Sequence, residues 1–312
     1  MANKQILILE ELGISRKDFQ ALIDKNQIQY DLVWGDNTNY NQDSVEGIIT
    51  IKTKVDAQLI MQYPNLKFVA VAFTGYDCVD LTACTQNNIA VFNVPTYSTD
   101  SVAELTLGLA ISLLREIPQT QNVLHHGNWA HQPGLELKGK TIGIIGTGNI
   151  GLRVAELFSA FGCKLLAWSR SERIVFTDLG GIYVNSIEEL ASKVDILCVH
   201  IPQTEESINL IDADILSKMK ASSYLINTAR GPIVNQNDLS EALNNNQIAG
   251  AAIDVFDQEP INKNAAILKA KNTILTPHIA YKTEEALLRR ASITIDNISS
   301  FAKGIINNQV NL

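Results

Sequence analysis

The sequence predicts an α/β protein built from two doubly wound parallel-sheet domains. Three observations predict it. Short apolar runs alternate with helical segments along the whole chain, a glycine-rich turn joins one such strand to one such helix, and 312 residues suffice for two separate cores. Parallel strands that are buried on both faces have continuous β-branched runs of this kind, and helices connect them.

The N-terminal part contains the first alternation. Apolar runs predict strands at 5–9, 28–33, 46–51, 66–72 and 89–92, and helical periodicity predicts helices at 15–25 and 55–62. A cluster of N-cap residues at 98–100 precedes a long apolar helix at 102–114, which Pro118 is expected to close. We expect this helix to lead out of the first domain.

The segment at 140–170 predicts a strand, a tight turn, a helix and a second strand. Gly146, Gly148 and Gly151 have the G-x-G-x-x-G spacing. In this motif the first glycine makes the turn, the second lets the backbone approach a pyrophosphate, and the third lets the helix pack on the strand. The helix N-terminus adds N–H groups and a partial positive charge that suit an anion. The segment therefore predicts a Rossmann-type dinucleotide site.

The remaining strands of the second domain are predicted at 195–199, 222–227, 248–253 and 273–276. Thr283 is expected to cap a final helix from Glu284 to about Ala302. The expected division is a dinucleotide-binding domain at 100–284 and a substrate-binding domain at 1–99 that the C-terminal helix, 285–312, completes.

Composition restricts the possible partners. A net charge of −8 argues against binding to nucleic acid or to an anionic membrane surface. The first eleven residues lack the features of a signal peptide, and the longest apolar stretch is far too short for a membrane span. The four cysteines lack metal-ligand spacing, so we expect four buried small hydrophobic side chains, no metal site and a reducing cytoplasm.

Three polar residues follow predicted strands of the second domain at their carboxyl ends, where such sheets bind ligands. Arg230 lies in NTARG, Glu259 in DVFDQEP and His278 in TPHIAY. Arginine binds a carboxylate through two hydrogen bonds, histidine exchanges protons near neutral pH, and glutamate can favour the protonated form of a histidine. Each residue alone also fits an ordinary solvated or structural role. The three together, in the same domain as a dinucleotide turn, indicate an active site.

Over nearly its whole length the sequence resembles the D-isomer-specific 2-hydroxyacid dehydrogenases. The motifs in order are TGYDCVDL (74–81), NVPTYSTDSVAEL (93–105), GKTIGIIGTGNIG (139–151), HIPQTEES (200–207), NTARG (227–231), DVFDQEP (254–260) and TPHIA (276–280). The resemblance implies a Rossmann cofactor domain, a flavodoxin-like substrate domain and a cleft between them. It also implies a homodimer formed through the helix region at 101–115.

The resemblance also implies roles for individual residues. Arg230 would hold the substrate carboxylate together with backbone amides near Gly75 and Tyr76, and His278 would be the acid/base, paired with Glu259. Asp254 would hold the nicotinamide carboxamide, and the loop after His200 would contact the cofactor ribose. The expected cofactor-binding residues are Gly146, Gly148, Asn149, Ile150, Gly151, Ser169, Arg170, His200, Pro202, Thr228 and Asp254.

One departure from the family pattern concerns the cofactor. NAD-dependent members usually end the second strand of this domain with an Asp that binds the adenosine ribose. Here that position is Ser169, followed by Arg170 and, close behind, Arg173. A serine does not repel a 2′-phosphate and an arginine can bind it, so the sequence favours NADP(H), with NAD possible. Cys78 and Lys282 also depart from the pattern, near the expected substrate pocket.

The expected reaction is the reduction of a small 2-oxo acid, of the hydroxypyruvate or glyoxylate type, to the D-2-hydroxy acid. The hydride would come from NAD(P)H and the proton from His278. Two alternatives stay open on the sequence: a dinucleotide-sensing, corepressor-like binding protein, and the oxidation of formate or phosphite. Turnover of 2-oxo acids would separate these possibilities.

Overall fold

The computed structural model describes residues 4–129 and 132–311. The chain divides into two compact units. Residues up to Ser98, together with those from Lys282 onward, form the first unit, and Thr99–Tyr281 form the second. Each unit contains one sheet of parallel strands covered by helices, so the predicted α/β class is confirmed.

The first unit is built on a five-stranded parallel sheet. Its strands are β1 (Gln5–Ile8), β2 (Asp31–Trp34), β3 (Val45–Thr50), β4 (Phe68–Val71) and β5 (Ala90–Phe92), and three of its helices are α1 (Arg16–Lys25), α2 (Ala57–Ile60) and α3 (Leu81–Gln86). The strand order is β2-β1-β3-β4-β5, which is the flavodoxin-like order. The order reverses between β1 and β3, so the switch point of this sheet lies at their carboxyl ends.

One carboxylate fills that switch point. Oε1 of Glu10 accepts hydrogen bonds from the backbone N–H groups of residues 51–53, at 3.0, 2.9 and 2.7 Å, and from the Thr50 hydroxyl at 3.1 Å. Three consecutive amides of this kind form a concave site for an anion. Burial works to raise the pKa of Glu10, but these hydrogen bonds outweigh it, and the pKa lies below its ordinary value.

The second unit is built on a seven-stranded parallel sheet. Its strands are β6 (Thr141–Ile145), β7 (Lys164–Trp168), β8 (Ile182–Tyr183), β9 (Ile196–Val199), β10 (Tyr224–Asn227), β11 (Gly250–Ile253) and β12 (Thr273–Leu275). Its helices are α4 (Thr99–Leu114), α5 (Ile117–His125), α6 (Asn149–Ala160), α7 (Ile174–Asp178), α8 (Ile187–Lys193), α9 (Ala213–Lys218) and α10 (Gln236–Asn244). The strand order β12-β11-β10-β9-β6-β7-β8 is the Rossmann order with a seventh strand, and its switch point lies between β6 and β9.

Helices cover both faces of this sheet. Successive strand residues point to opposite sides, so they pack into two different core clusters. Ile142 and Ile144 pack in one core cluster with Phe158 of α6, whereas Ile145 packs in the other cluster with Leu190 of α8. All of these side chains are buried. The strand therefore has apolar residues at consecutive positions instead of an alternating pattern.

The last helix of the chain, α11 (Glu284–Ala302), belongs to the first unit and packs against α1 and β4. The Thr283 hydroxyl accepts a hydrogen bond from the N–H of Ala286, so this helix begins at the N-cap that the sequence predicts. No α-helix in the described part of the chain combines the length and the apolar character that crossing a membrane requires.

Pro118 does not close a helix, contrary to the prediction. Helix α4 already ends at Leu114, and Pro118 lies in the first turn of α5. A proline is tolerated there because the N–H groups of a first turn have no partner within the helix. The sequence also did not predict β8 or the short helices α3, α5 and α7–α10, several of which are too short for a clear periodic pattern.

The prediction of four buried cysteines is wrong for two of them. Cys84 and Cys198 are buried, but Cys78 and Cys163 are half-buried. Cys163 lies between Gly162, which has a positive φ, and Lys164, the first residue of β7, so it is not part of that strand. All four are free thiols.

Candidate active site

The glycine-rich turn connects β6 to α6 and leaves space where a phosphate would lie. Gly146 has a φ of +93°, and a Cβ there would lie 2.7 Å from the carbonyl oxygen of His200. A Cβ on Gly151 would overlap the carbonyl oxygen of Gly146, so the helix packs directly on the turn. In contrast, the Cβ position of Gly148, the N-cap of α6, has nothing within 4 Å. This open space faces the N–H groups that suit a pyrophosphate.

A pocket of about 510 Å³ lies at the turn, between the carboxyl ends of β7 and β9. It brings six of the predicted cofactor residues together. These are Gly146, Gly148, Ser169, Arg170, His200 and Pro202. Asn149 and Ile150 are the first two residues of α6 and do not line this pocket.

For two side chains that line this pocket, the structure defines a hydrogen bond or a protonation state. Ser169 Oγ accepts a hydrogen bond from the N–H of Thr147 at 3.3 Å, which ties the end of β7 to the glycine turn. Burial lowers the pKa of His200 to about 3, so its ring is neutral near pH 7. The Nε2 atom of His200 is buried, and no hydrogen-bond partner for it lies in the described part of the chain.

His278 and Glu259 form a direct pair, in which Nδ1 of His278 lies 2.6 Å from Oε2 of Glu259. Because an ionised carboxylate only accepts hydrogen bonds, Nδ1 carries the hydrogen in this contact. The other carboxylate oxygen of Glu259 accepts from the N–H of Phe256 at 3.2 Å, which fixes the carboxylate. The ring of Tyr281 packs edge to face on the imidazole, with centroids 5.6 Å apart.

Asp254 holds the loop that contains His278. It is fully buried at the end of β11, and its carboxylate accepts hydrogen bonds from the Thr276 hydroxyl (2.5 Å) and from the N–H groups of Ile279 and Ala280 (2.9 Å each). Burial raises the pKa of Asp254 despite these bonds. The predicted contact of Asp254 with a nicotinamide carboxamide stays a prediction.

The same loop forces His278 into an unusual backbone conformation. Its φ is +53°, in the left-handed region, and its N–H donates to the carbonyl oxygen of Asp254 at 2.7 Å. A non-glycine residue held in this region costs about 1–3 kcal/mol, and such strain is concentrated at functional sites. The surrounding hydrogen bonds thus fix both the backbone and the ring of this histidine.

Arg230 leaves the end of β10 in a turn that Asn227 fixes. Oδ1 of Asn227 accepts from the N–H of Ala229 at 3.0 Å, and Nδ2 donates to the carbonyl oxygen of Arg230 at 2.9 Å. The guanidinium of Arg230 donates to the Ala229 carbonyl at 2.8 Å. The residue as a whole is half-buried.

Three further predicted site residues are Thr228 in the second unit and Gly75 and Tyr76 in the first. The hydroxyl of Thr106 in α4 donates its one hydrogen to the carbonyl oxygen of Val102. The hydroxyl of Thr228 lies 3.1 Å from the Thr106 oxygen and is therefore the donor in that contact. Gly75 and Tyr76 lie in the loop after β4, half-buried and exposed, respectively. The ligand contacts predicted for these three residues stay predictions.

Several residues that shape the site were missed by sequence reasoning. Asn227 and Gly231 flank Arg230 in the NTARG motif, Thr276 precedes His278 in TPHIA, and Glu206 follows His200 in HIPQTEES. The one signal in the sequence that could have identified them is that each lies inside a motif of the family resemblance. The part of the chain that the structure describes contains no cluster of three or more His, Cys, Asp or Glu side chains that could hold a metal ion.

Comparisons with known proteins agree on one family. A family model described as "D-isomer specific 2-hydroxyacid dehydrogenase, NAD binding domain" matches residues 107–280. The chain is 39% identical to a glyoxylate reductase of Thermofilum pendens over 80% of this chain and 76% of that protein. It is 34% identical to a hydroxypyruvate reductase of Blautia hydrogenotrophica over 85% of this chain and 84% of that protein.

A solved structure extends the similarity to the whole fold. The structure of an acyclic imino acid reductase in complex with NADPH and D-Arg superposes with a TM-score of 0.87 and 29% sequence identity. The match covers 98% of this chain and 100% of that one. The similarity therefore includes both units.

Proposed function

The chain belongs to the D-isomer specific 2-hydroxyacid dehydrogenase family, and we propose that it reduces an acid of the glyoxylate or hydroxypyruvate type to the D-2-hydroxy acid. At the coarser level, it is an oxidoreductase that reduces small 2-oxo acids with NAD(P)H. The observation that supports the proposal most directly is the 2.6 Å contact between His278 and Glu259 at the carboxyl edge of the Rossmann sheet.

His278 is the proton donor in this proposal. Glu259 accepts the Nδ1 hydrogen, so Nε2 is the atom that gives its proton to the keto oxygen of the substrate. The negative charge of Glu259 stabilises the protonated ring before the transfer. Asp254 acts through the loop that it holds and keeps the ring in place.

Arg230 is the anchor for the substrate carboxylate. Its guanidinium group can form two parallel hydrogen bonds to a carboxylate, which fixes both the position and the plane of the acid. Asn227 supports the turn that presents this side chain. The additional contribution of the amides near Gly75 and Tyr76 is part of the same proposal.

The glycine turn and the pocket beside it would hold the cofactor. A bound nicotinamide dinucleotide supplies the hydride. The open position at Gly148 suits the pyrophosphate, and Ser169, Arg170, His200 and Pro202 suit the adenosine ribose. We propose a preference for NADPH, because the end of β7 has a serine and an arginine where an acidic residue would repel a 2′-phosphate. Arg173 lines the same pocket.

We also propose that the protein is a homodimer in a reducing cytoplasm. Ile117, Leu124, Trp129 and Leu135 expose apolar surface on α5 and on the segments that flank the undescribed residues 130–131, and Trp129 is 82% exposed. Exposed apolar surface of this kind is a candidate for a protein interface. Light scattering on the purified protein tests the dimer. The four free thiols support the reducing compartment.

The reaction is tested by measuring kcat/KM for a panel of 2-oxo acids with NADPH and with NADH. We expect glyoxylate or hydroxypyruvate to be reduced, with NADPH preferred, and chiral analysis to identify the hydroxypyruvate product as the D-isomer. Activity limited to bulky 2-oxo acids, or formation of the L-isomer, contradicts the proposal.

A further inference from the structure

Two segments meet at the pocket beside the glycine turn. Ser169, Arg170 and Arg173 line one wall, after β7, and Thr204 and Glu206 line the other, after β9. The first wall contains positive charges that suit a phosphate on the ribose. The second contains the negative charge of Glu206.

Glu206 lies in a short turn whose backbone is fixed by hydrogen bonds. It lies in the single 3-10 turn Glu205–Ser207. The Ser207 hydroxyl accepts from the N–H of Thr204 at 2.7 Å and donates to the carbonyl oxygen of Pro202 at 3.0 Å. The preceding residue, Glu205, belongs to the same turn but does not line the pocket, so it provides a matched control.

Glu206 and Arg170 interact electrostatically. A hydrogen bond from Thr204 is the main reason why the pKa of Glu206 lies below its ordinary value, and the positive charge of Arg170 lowers it further. Both residues line the pocket beside the glycine turn. Among the described residues that line this pocket, Glu206 is the one acidic residue.

We propose that Glu206 is a specificity-determining residue that competes with the ribose 2′-phosphate for Arg170. This inference rests on the proposed use of Arg170 to bind that phosphate. When a 2′-phosphate enters the pocket, Arg170 must exchange one anion for another, and the remaining carboxylate repels the phosphate. A ribose without the 2′-phosphate neither displaces Glu206 from Arg170 nor is repelled by the carboxylate. Glu206 thus moderates the preference for NADPH and keeps NADH usable.

The effect should be small but measurable. Interactions between exposed charges are weak because solvent screens them, so we expect at most about a fivefold change in affinity. Titration calorimetry with 2′,5′-ADP and with 5′-AMP, on the full chain, measures it without turnover. We expect Glu206→Gln to tighten 2′,5′-ADP about two- to fivefold and to leave 5′-AMP unchanged. Glu205→Gln should change neither.

A double-mutant comparison tests the role of Arg170. In an Arg170→Ala background, Glu206→Gln should give at most half of its gain in free energy for 2′,5′-ADP, because the competition is gone and direct repulsion remains. An undiminished gain overturns the competition. The inference also fails if Glu206→Gln leaves 2′,5′-ADP binding unchanged or weakens it, if it tightens 5′-AMP equally, or if Glu205→Gln has the same effect.

These outcomes separate the inference from the cofactor proposal. If the wild type prefers NADH while Glu206→Gln still tightens 2′,5′-ADP through Arg170, the NADPH preference is wrong and the role of Glu206 stands. If the wild type prefers NADPH and Glu206→Gln has no effect, the preference stands and the inference is wrong.

Discussion

A Cβ atom on Gly231 would overlap the carbonyl group of Phe256. The loop that contains Arg230 therefore rests directly on the loop that leads to Glu259. No side chain fits between the two backbones, so Gly231 sets the spacing between the proposed carboxylate anchor and the partner of the proposed proton donor.

Gly231→Ala should disturb both loops. We expect kcat/KM to fall about tenfold or more, and the free energy of unfolding to drop by about 1–3 kcal/mol, because the backbone must shift to admit a methyl group. Gly108→Ala is the control, since a Cβ there has nothing within 4 Å and the residue lies in helix α4. That variant should be up to about 1 kcal/mol more stable. Equal behaviour of the two variants contradicts the role of Gly231.

Glu259→Gln tests the charge of the histidine's partner, because the amide oxygen can still accept the Nδ1 hydrogen. We expect reduction to slow about ten- to a hundredfold. The rate, measured as kcat/KM, falls because the protonated ring loses its counter-charge. Asp257→Asn, in the same loop, serves as the control. A Glu259→Gln variant as active as the wild type argues against the pairing.

Arg230→Ala should remove the carboxylate anchor. We expect kcat/KM for the 2-oxo acid to fall by about two to four orders of magnitude while the dissociation constant for NADPH changes little. Arg230→Lys should recover only part of the loss, because lysine lacks the planar fork. An alanine variant within threefold of the wild type would exclude this role.

The double variant Ser169→Asp with Arg170→Ala should reverse the cofactor preference toward NADH. The introduced carboxylate repels a 2′-phosphate, which carries roughly two negative charges. The measurement is kcat/KM for each cofactor at one fixed 2-oxo acid concentration. We expect the wild type to prefer NADPH about tenfold, less so at high salt. A wild-type preference for NADH would contradict the proposed preference for NADPH.

Glu10→Gln should lower stability in a pH-dependent way. The pKa of Glu10 is lowered in the folded chain, so its stabilising contribution is present above the ordinary value and disappears as the pH falls through the lowered one. We expect a loss of about 1 kcal/mol at pH 7, reduced by solvent because the group is only partly buried. Urea unfolding at pH 7 and at pH 3 measures the difference. A loss that does not shrink at pH 3 contradicts this account.

Part of the site followed from the sequence because local rules govern it. The glycine spacing dictates a turn and a helix start, and polar residues directly after buried strands must lie at one edge of a parallel sheet. Arg230, Glu259 and His278 were found in this way. The role of Asp254 in holding the histidine loop was not, because its partners are Thr276, Ile279 and Ala280, more than twenty residues along the chain.

The sequence by itself determined the α/β class, the position of the dinucleotide turn and the identity of the polar residues at the strand ends. Each of these depends on residues that are close together in the chain, through side-chain period or backbone conformation. Only the tertiary structure decided which segments meet. Glu10 reaches the amides of residues 51–53, Gly231 lies against Phe256, and Glu206 lines the same pocket as Arg170. Strand register and loop packing bring these residues together, and no local propensity encodes that arrangement.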